Sequence, residues 1–290
     1  VKMPGFLKDP DPVLVSWRQV VPTTVTLLAM LSGFLSILMT FEGIRTSNVH
    51  LFRLSAQLIM LAMILDGLDG NLARKLNGSS EFGAELDTYV DLTAFGIAPA
   101  ILIFAVTLQS KDEILRVLLP SAVAVSGVCR LARFKVKDPL RGQGGYAGLP
   151  ITANAAWVAL FVFISQTPPY DRFSLDQGKV ATLFLVGILV FTLLQVTNLR
   201  YPKPSKKAAI FIPTAILVCL LFWRGKSLSV SIAVILLVLA VIYIVIGPLF
   251  VKGMAVHKAR QEAKRNGALN GNSTGLSSEN GSSNGYESGE

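Results

Sequence analysis

Four aspartates, Asp66, Asp69, Asp87 and Asp91, stand inside or beside long apolar runs in the segment MILDGLDGNLARKLNGSSEFGAELDTYVDLTAFGIAP. A carboxylate at membrane depth is costly to solvate, so each of these residues marks a candidate functional site. Asp66 and Asp69 are three apart and Asp87 and Asp91 four apart, so each pair projects from one face of a helix. Together they offer hard oxygen donors suited to one or two divalent cations, most naturally magnesium or manganese. Four such charges would repel one another strongly in a low-dielectric setting, and cations or protons must compensate them. A histidine-ligated site is not expected, because His50 and His257 are isolated. Cys129 and Cys219 fall in apolar segments and read as small buried hydrophobes rather than a disulfide or metal pair.

The elements that carry these residues must be membrane helices. The chain of 290 residues is 52% hydrophobic and only 16% charged, and several windows meet the roughly 20-residue apolar requirement for spanning a bilayer. The pattern predicts an all-α integral membrane protein with about eight transmembrane helices, near 21–42, 51–76, 84–108, 113–134, 150–166, 179–198, 207–223 and 228–250. Residues 1–20 form a cytoplasmic or interfacial leader with Trp17 at the interface, and no cleavable signal is expected. Residues 21–251 form the transmembrane catalytic domain, and 252–290 a basic, then disordered, cytoplasmic tail. A net charge of +9 would suit nucleic acid, but the basic residues lie between spans, so membrane lipids are the expected partners and nucleic acid is not. With the amino terminus in the cytoplasm, most of the 27 lysines and arginines fall on the cytoplasmic side. That orientation predicts a multi-pass protein of the plasma (inner) membrane with its active site facing the cytoplasm.

An antiparallel helix hairpin turned by the NGSS segment gathers the four carboxylates. Gly70, Ala73 and Gly83 lack bulk, which either lets a flat ring or pyrophosphate approach the backbone or serves helix packing. Arg74, one turn after Gly70, either forms a bidentate contact with phosphate or anchors the helix at the cytoplasmic side. A cation-coupled membrane transporter is the rival class. It would be expected to show an inverted repeat and charges at mid-span, and the chain shows neither pattern.

The full spacing is Asp66, two residues, Asp69-Gly70, two residues, Ala73-Arg74, eight residues, Gly83, three residues, Asp87, three residues, Asp91. It resembles the signature of the CDP-alcohol phosphotransferase family at every fixed position. The resemblance implies that fold's helical bundle, a homodimer, and two Mg2+ or Mn2+ ions held by Asp66, Asp69 and Asp87. It implies Asp91 as general base and further ligand. Gly70, Ala73, Arg74, Ser80 and Gly83 would line the site of a CDP-linked lipid. Pro22, Thr23 and Thr26 stand where members commonly carry Pro-Asn and a following Thr, with Thr23 replacing the Asn. Such hydroxyls can also satisfy their own helix backbone.

The signature does not choose the acceptor alcohol. Residues 129–150, CRLARFKVKDPLRGQGGYAGLP, and the NLRYP run at 198–202 look like the phosphatidylserine synthase branch. That resemblance implies CDP-diacylglycerol and L-serine as substrates. Arg133 first, then Arg130 and Lys135, are the candidates for the serine carboxylate, with Asn154, Asn198 and Arg200 weaker; the basic trio also suits cytoplasmic anchoring. Within the family the alternatives are phosphatidylglycerophosphate, phosphatidylinositol-phosphate and archaetidylserine synthases.

Overall fold

The structure is a computed structural model and describes residues 16–107, 113–136, 145–168, 175, 178–202, 207–222, 228–249 and 251. The expectations for residues 1–15, for the tail 252–290 and for Lys137, Arg141, Lys203 and Lys206 lie outside those residues.

The helices are α1 (Trp17–Thr46), α2 (Val49–Lys75), α3 (Glu81–Val106), α4 (Glu113–Val136), α5 (Ile151–Ser165), α6 (Gly178–Val196), α7 (Lys207–Leu220) and α8 (Leu228–Leu249). They match the eight expected segments to within a few residues, except that α1 starts at Trp17, inside the expected leader. Six of them are long and apolar enough to cross a membrane. The 15 residues of α5 rise only about 22 Å at 1.5 Å per residue, against about 30 Å of hydrocarbon. Cys129 and Cys219 are free and exposed rather than buried, on helix faces turned away from the core.

Packing begins with α1 against α2. All the buried positions of α1 but Ser32, namely Pro22, Thr26, Ala29, Gly33, Ser36, Thr40 and Gly43, alternate four and three apart, a seam of small residues that lets two backbones approach. Polar side chains join the helices inside this seam. The Ser36 and Thr40 hydroxyls each lie 2.7 Å from that of Ser55, and Ser32 donates to the Leu58 carbonyl at 2.8 Å. Interhelical bonds of this kind contribute about 0.6 kcal/mol each in a membrane.

The third span is not a uniform α-helix. Leu92–Ile97 form a π-helical turn, closed by the Ala98 N–H donating to the Thr93 carbonyl. Ala94, inside the turn, packs against Gly33 of α1, where a side chain on Gly33 would collide with it. The turn begins immediately after Asp91, at the end of the acidic segment, as π-bulges often do near functional sites. Against α2 and the third span packs α5, while α4 covers the π turn and packs on α6. Trp157 of α5 stacks on Phe184 and meets Phe191 edge-on, both from α6.

Two short strands stand outside the all-α expectation. β1 (Gly145–Ala147) pairs antiparallel with β2 (Arg200–Pro202), with Tyr146 opposite Tyr201. This ribbon joins the GLP loop to the NLRYP run, the two branch-like stretches of the chain.

Candidate active site

The α2–α3 turn has locally sufficient causes. Leu76 and Gly78 donate back to the Leu72 and Ala73 carbonyls at 2.9 Å, and Asn77 takes the left-handed conformation at φ 51. Ser80 then caps α3 by accepting from the Gly83 N–H at 3.0 Å, and Glu81 complements the positive end of the helix. Gly78 packs the turn onto the start of α1. A Cβ there would collide with the Arg18 carbonyl, a carbonyl that Pro22 leaves without its helical N–H partner.

The hairpin brings one carboxylate oxygen each from Asp66, Asp69 and Asp87 within 4.8 Å of one another. Asp91, one turn beyond Asp87, is close enough to act electrostatically on Asp66. Asp69 is only 5% exposed, and its Oδ2 is buried without a hydrogen-bond partner. Leaving such an atom unpaired is expensive, and its carboxylate neighbours, when ionised, are acceptors only. A divalent cation satisfies all three at once, so the donor set fits a metal of the hard, oxygen-preferring kind.

Two cavities adjoin the cluster. The smaller, of about 290 Å³, is bounded by Pro22, Thr23 and Thr26 from α1, by Gly70, Ala73 and Arg74 from α2, and by Ser80 and Gly83 at the start of α3. The structure thus brings together on one wall the eight residues expected at a CDP-linked lipid. Thr23 and Thr26 donate to the Gln19 and Pro22 carbonyls at 2.7 and 3.0 Å, which leaves their lone pairs to accept. The Arg74 guanidinium lies beside Gly70 and donates to Asn71 Oδ1 at 2.8 Å.

The larger cavity, of about 630 Å³, carries Asp66 and Asp91 together with Arg130, Phe134, Pro150 and Thr152. The two cavities share Asp69, Gly70, Arg74 and Asp87. Arg130 faces Asp91 electrostatically. The other two basic candidates are placed elsewhere. Arg133 donates to the Val196 carbonyl at 3.1 Å and to Asn198 Oδ1 at 2.5 Å, bridging α4 to the end of α6. Lys135 pairs with Glu85 of α3. Asn198 is therefore Arg133's acceptor, Asn154 is buried in α5 with its Oδ1 unpartnered, and Arg200 is an exposed strand residue.

The ribbon holds the loop that borders this cavity. Gly148 donates to the Leu199 carbonyl at 2.8 Å and Leu149 to that of Leu194 at 3.0 Å. Gly148 has φ +78 and lies against the Gln195 carbonyl, so only glycine fits. The Gln195 side chain accepts from Ser126 of α4 at 2.6 Å in the buried layer beneath. Tyr201 is fully buried and burial pushes its phenol up from the ordinary range. Two wall residues, Thr214 of α7 and Tyr243 of α8, escaped the sequence reading. The available signal was a hydroxyl inside an otherwise apolar helix.

Residues 19–197 match the family described as CDP-alcohol phosphatidyltransferase. The chain is 31% identical to a CDP-diacylglycerol--serine O-phosphatidyltransferase of Helicobacter pylori, over 67% of this chain and 81% of that protein. A protein of the same description from Saccharomyces cerevisiae is 34% identical over 62% and 69% of the two chains. A third, from Methanocaldococcus jannaschii, is 33% identical over 68% and 80%.

Proposed function

Because the chain belongs to the CDP-alcohol phosphatidyltransferase family, we propose that it transfers the phosphatidyl group of CDP-diacylglycerol to the hydroxyl of L-serine and releases CMP. One observation carries this: a cavity with the nucleotide-side residues and a cavity with Asp91 and Arg130 meet across a shared wall of Asp69, Gly70, Arg74 and Asp87. A donor on one side and an acceptor on the other would face each other across the carboxylate cluster. The names of the relatives from three organisms support serine as the acceptor.

The chain's own groups divide the work. Thr23, Thr26, Gly70 and Ala73 receive the cytidine and pyrophosphate closely, and Arg74 pairs with phosphate. Two Mg2+ or Mn2+ ions held by Asp66, Asp69 and Asp87, with Asp91 as a further ligand, would neutralise phosphate charge and stabilise the leaving CMP. Arg130 holds the serine carboxylate, which orients the hydroxyl toward Asp91. Asp91 takes the hydroxyl proton as the serine oxygen bonds to the lipid-side phosphorus and the bond from that phosphorus to CMP breaks. The site faces the cytoplasm of the plasma (inner) membrane, in accord with the lysine and arginine bias, and the protein works as a homodimer, as the family resemblance implies.

CMP release from CDP-diacylglycerol by the full chain, with serine, glycerol 3-phosphate, inositol 1-phosphate or choline and with or without Mg2+, tests the assignment. Release that requires serine and metal together is expected. Release driven by another alcohol in preference to serine would overturn it.

A further inference from the structure

Thr214 and Tyr243 lie beyond residues 19–197, the stretch that matches the family, yet both line the cavity that carries Asp66, Asp91 and Arg130. Each is a hydroxyl in a strongly apolar helix: α7 reads KAAIFIPTAILVCL, and the second half of α8 reads VLAVIYIVIGPL. Both also stand about two turns from the helix end nearest the acidic cluster, Thr214 from the start of α7 and Tyr243 from the end of α8.

Their placement is fixed from two directions. Gln57 of α2 donates to the Leu221 carbonyl at 2.8 Å, which ties the end of α7 to the helix that carries Asp66 and Asp69. The Tyr243 ring packs at 5.9 Å on Tyr201, the buried strand residue of the ribbon. The ribbon in turn holds the loop ending in Pro150, on the wall of the same cavity. Tyr243 therefore touches the ribbon that holds the acceptor-side loop and also lines the acceptor-side cavity.

We propose that Thr214 and Tyr243 are specificity-determining residues of the acceptor cavity, selecting a small zwitterionic alcohol. The inference rests on the proposed serine transfer and deepens it. Among the described residues the wall carries two arginines, and Arg74 is shared with the neighbouring cavity. That leaves Arg130 for a single carboxylate, whereas a dianionic phosphate calls for a denser cationic lining. Neutral hydroxyls add acceptors for an ammonium group, which an arginine-lined wall would repel.

In the full chain, Tyr243→Phe removes only the hydroxyl and Thr214→Val replaces it with a methyl group. The KM for serine is expected to rise about tenfold in each, the equivalent of one hydrogen bond to a charged group. The KM for CDP-diacylglycerol should stay within about twofold. Preference for serine over glycerol 3-phosphate should fall in parallel. Unchanged serine KM in both variants, or equal rises for both substrates, would overturn the proposal. If one variant fails to accumulate as folded protein, the other decides it. A wild-type chain that releases CMP with no dependence on serine would sink the serine assignment itself. Active wild type with unaltered variants would sink this inference alone.

Discussion

Asp91→Asn separates binding from chemistry. Asparagine keeps the shape, so the junction between the α-helical and π-helical parts of α3 is undisturbed; what disappears is the charge and the ability to take a proton. Asp91 is outside the three-carboxylate group whose oxygens lie within 4.8 Å, and it is absent from the wall of the smaller cavity. The asparagine amide oxygen can still serve as the further metal ligand, so metal and CDP-lipid binding should largely survive, with the CDP-diacylglycerol KM within about threefold of wild type. A positioned general base contributes about 10²–10⁴-fold, so kcat should fall by that factor, about 3–5 kcal/mol in barrier height. Arg130 faces Asp91, and without that carboxylate it competes less for its own neighbour, so the serine KM should hold or fall. The assay is labelled serine incorporation into lipid alongside CMP release, at saturating metal, with both KM values measured. A kcat within tenfold of wild type would refute Asp91 as the base. A CDP-lipid KM rising in step with the lost turnover would make metal ligation, not proton transfer, its main role.

Four further outcomes are expected. Asp69→Asn removes the most buried of the three clustered carboxylates, so the metal concentration for half-maximal activity and the CDP-lipid KM should rise together, as a metal titration would show. Gly78→Ala puts a methyl group into the Arg18 carbonyl and should cost about 1–3 kcal/mol of stability, with a raised CDP-lipid KM, read by thermal unfolding in detergent and by kinetics. Gly148→Ala meets both a positive φ and the Gln195 carbonyl. It should raise the serine KM more than the CDP-lipid KM, because the loop it distorts borders the larger cavity. Arg133→Ala unpairs the end of α6 and should lower the melting temperature, with Arg133→Lys recovering part of the loss; an unchanged melting temperature would show that the bridge to Val196 and Asn198 carries no weight.

The helices and the acidic cluster were legible because their signals are local. Apolar runs of the length of α2 and α3 have few alternatives in a bilayer, and aspartates three and four apart must share a helix face. The eight residues that the family resemblance placed at a CDP-linked lipid border one cavity, and all of them lie within one hairpin and one facing helix. Three features were not legible. The Ser32, Ser36, Thr40 and Ser55 contacts depend on the register between α1 and α2, which composition does not reveal. The two-stranded ribbon joins residues about 55 apart, each strand too short to carry a periodic pattern. The exposure of Cys129 and Cys219 depends on which face of a uniformly apolar helix meets the core, and hydropathy alone cannot choose that face.

The larger cavity, proposed above for the acceptor, was harder to read. Its wall draws on α2, α3, α4, the loop before α5 and the first turn of α5, α7 and α8, so no contiguous stretch encodes it. Arg133 and Arg130 are three apart on one helix, and both could have faced the site. The structure divides them: Arg130 lines the cavity, while Arg133 bonds to the end of α6, next to the strand that pairs with the GLP loop. A side chain of the same type thus serves placement at one position and borders the larger cavity at the other. The carboxylate cluster needs only the local hairpin, and a short signature can carry it. The larger cavity needs a wall assembled from distant helices, so its lining can change through α7 and α8 while the four aspartates stay in place.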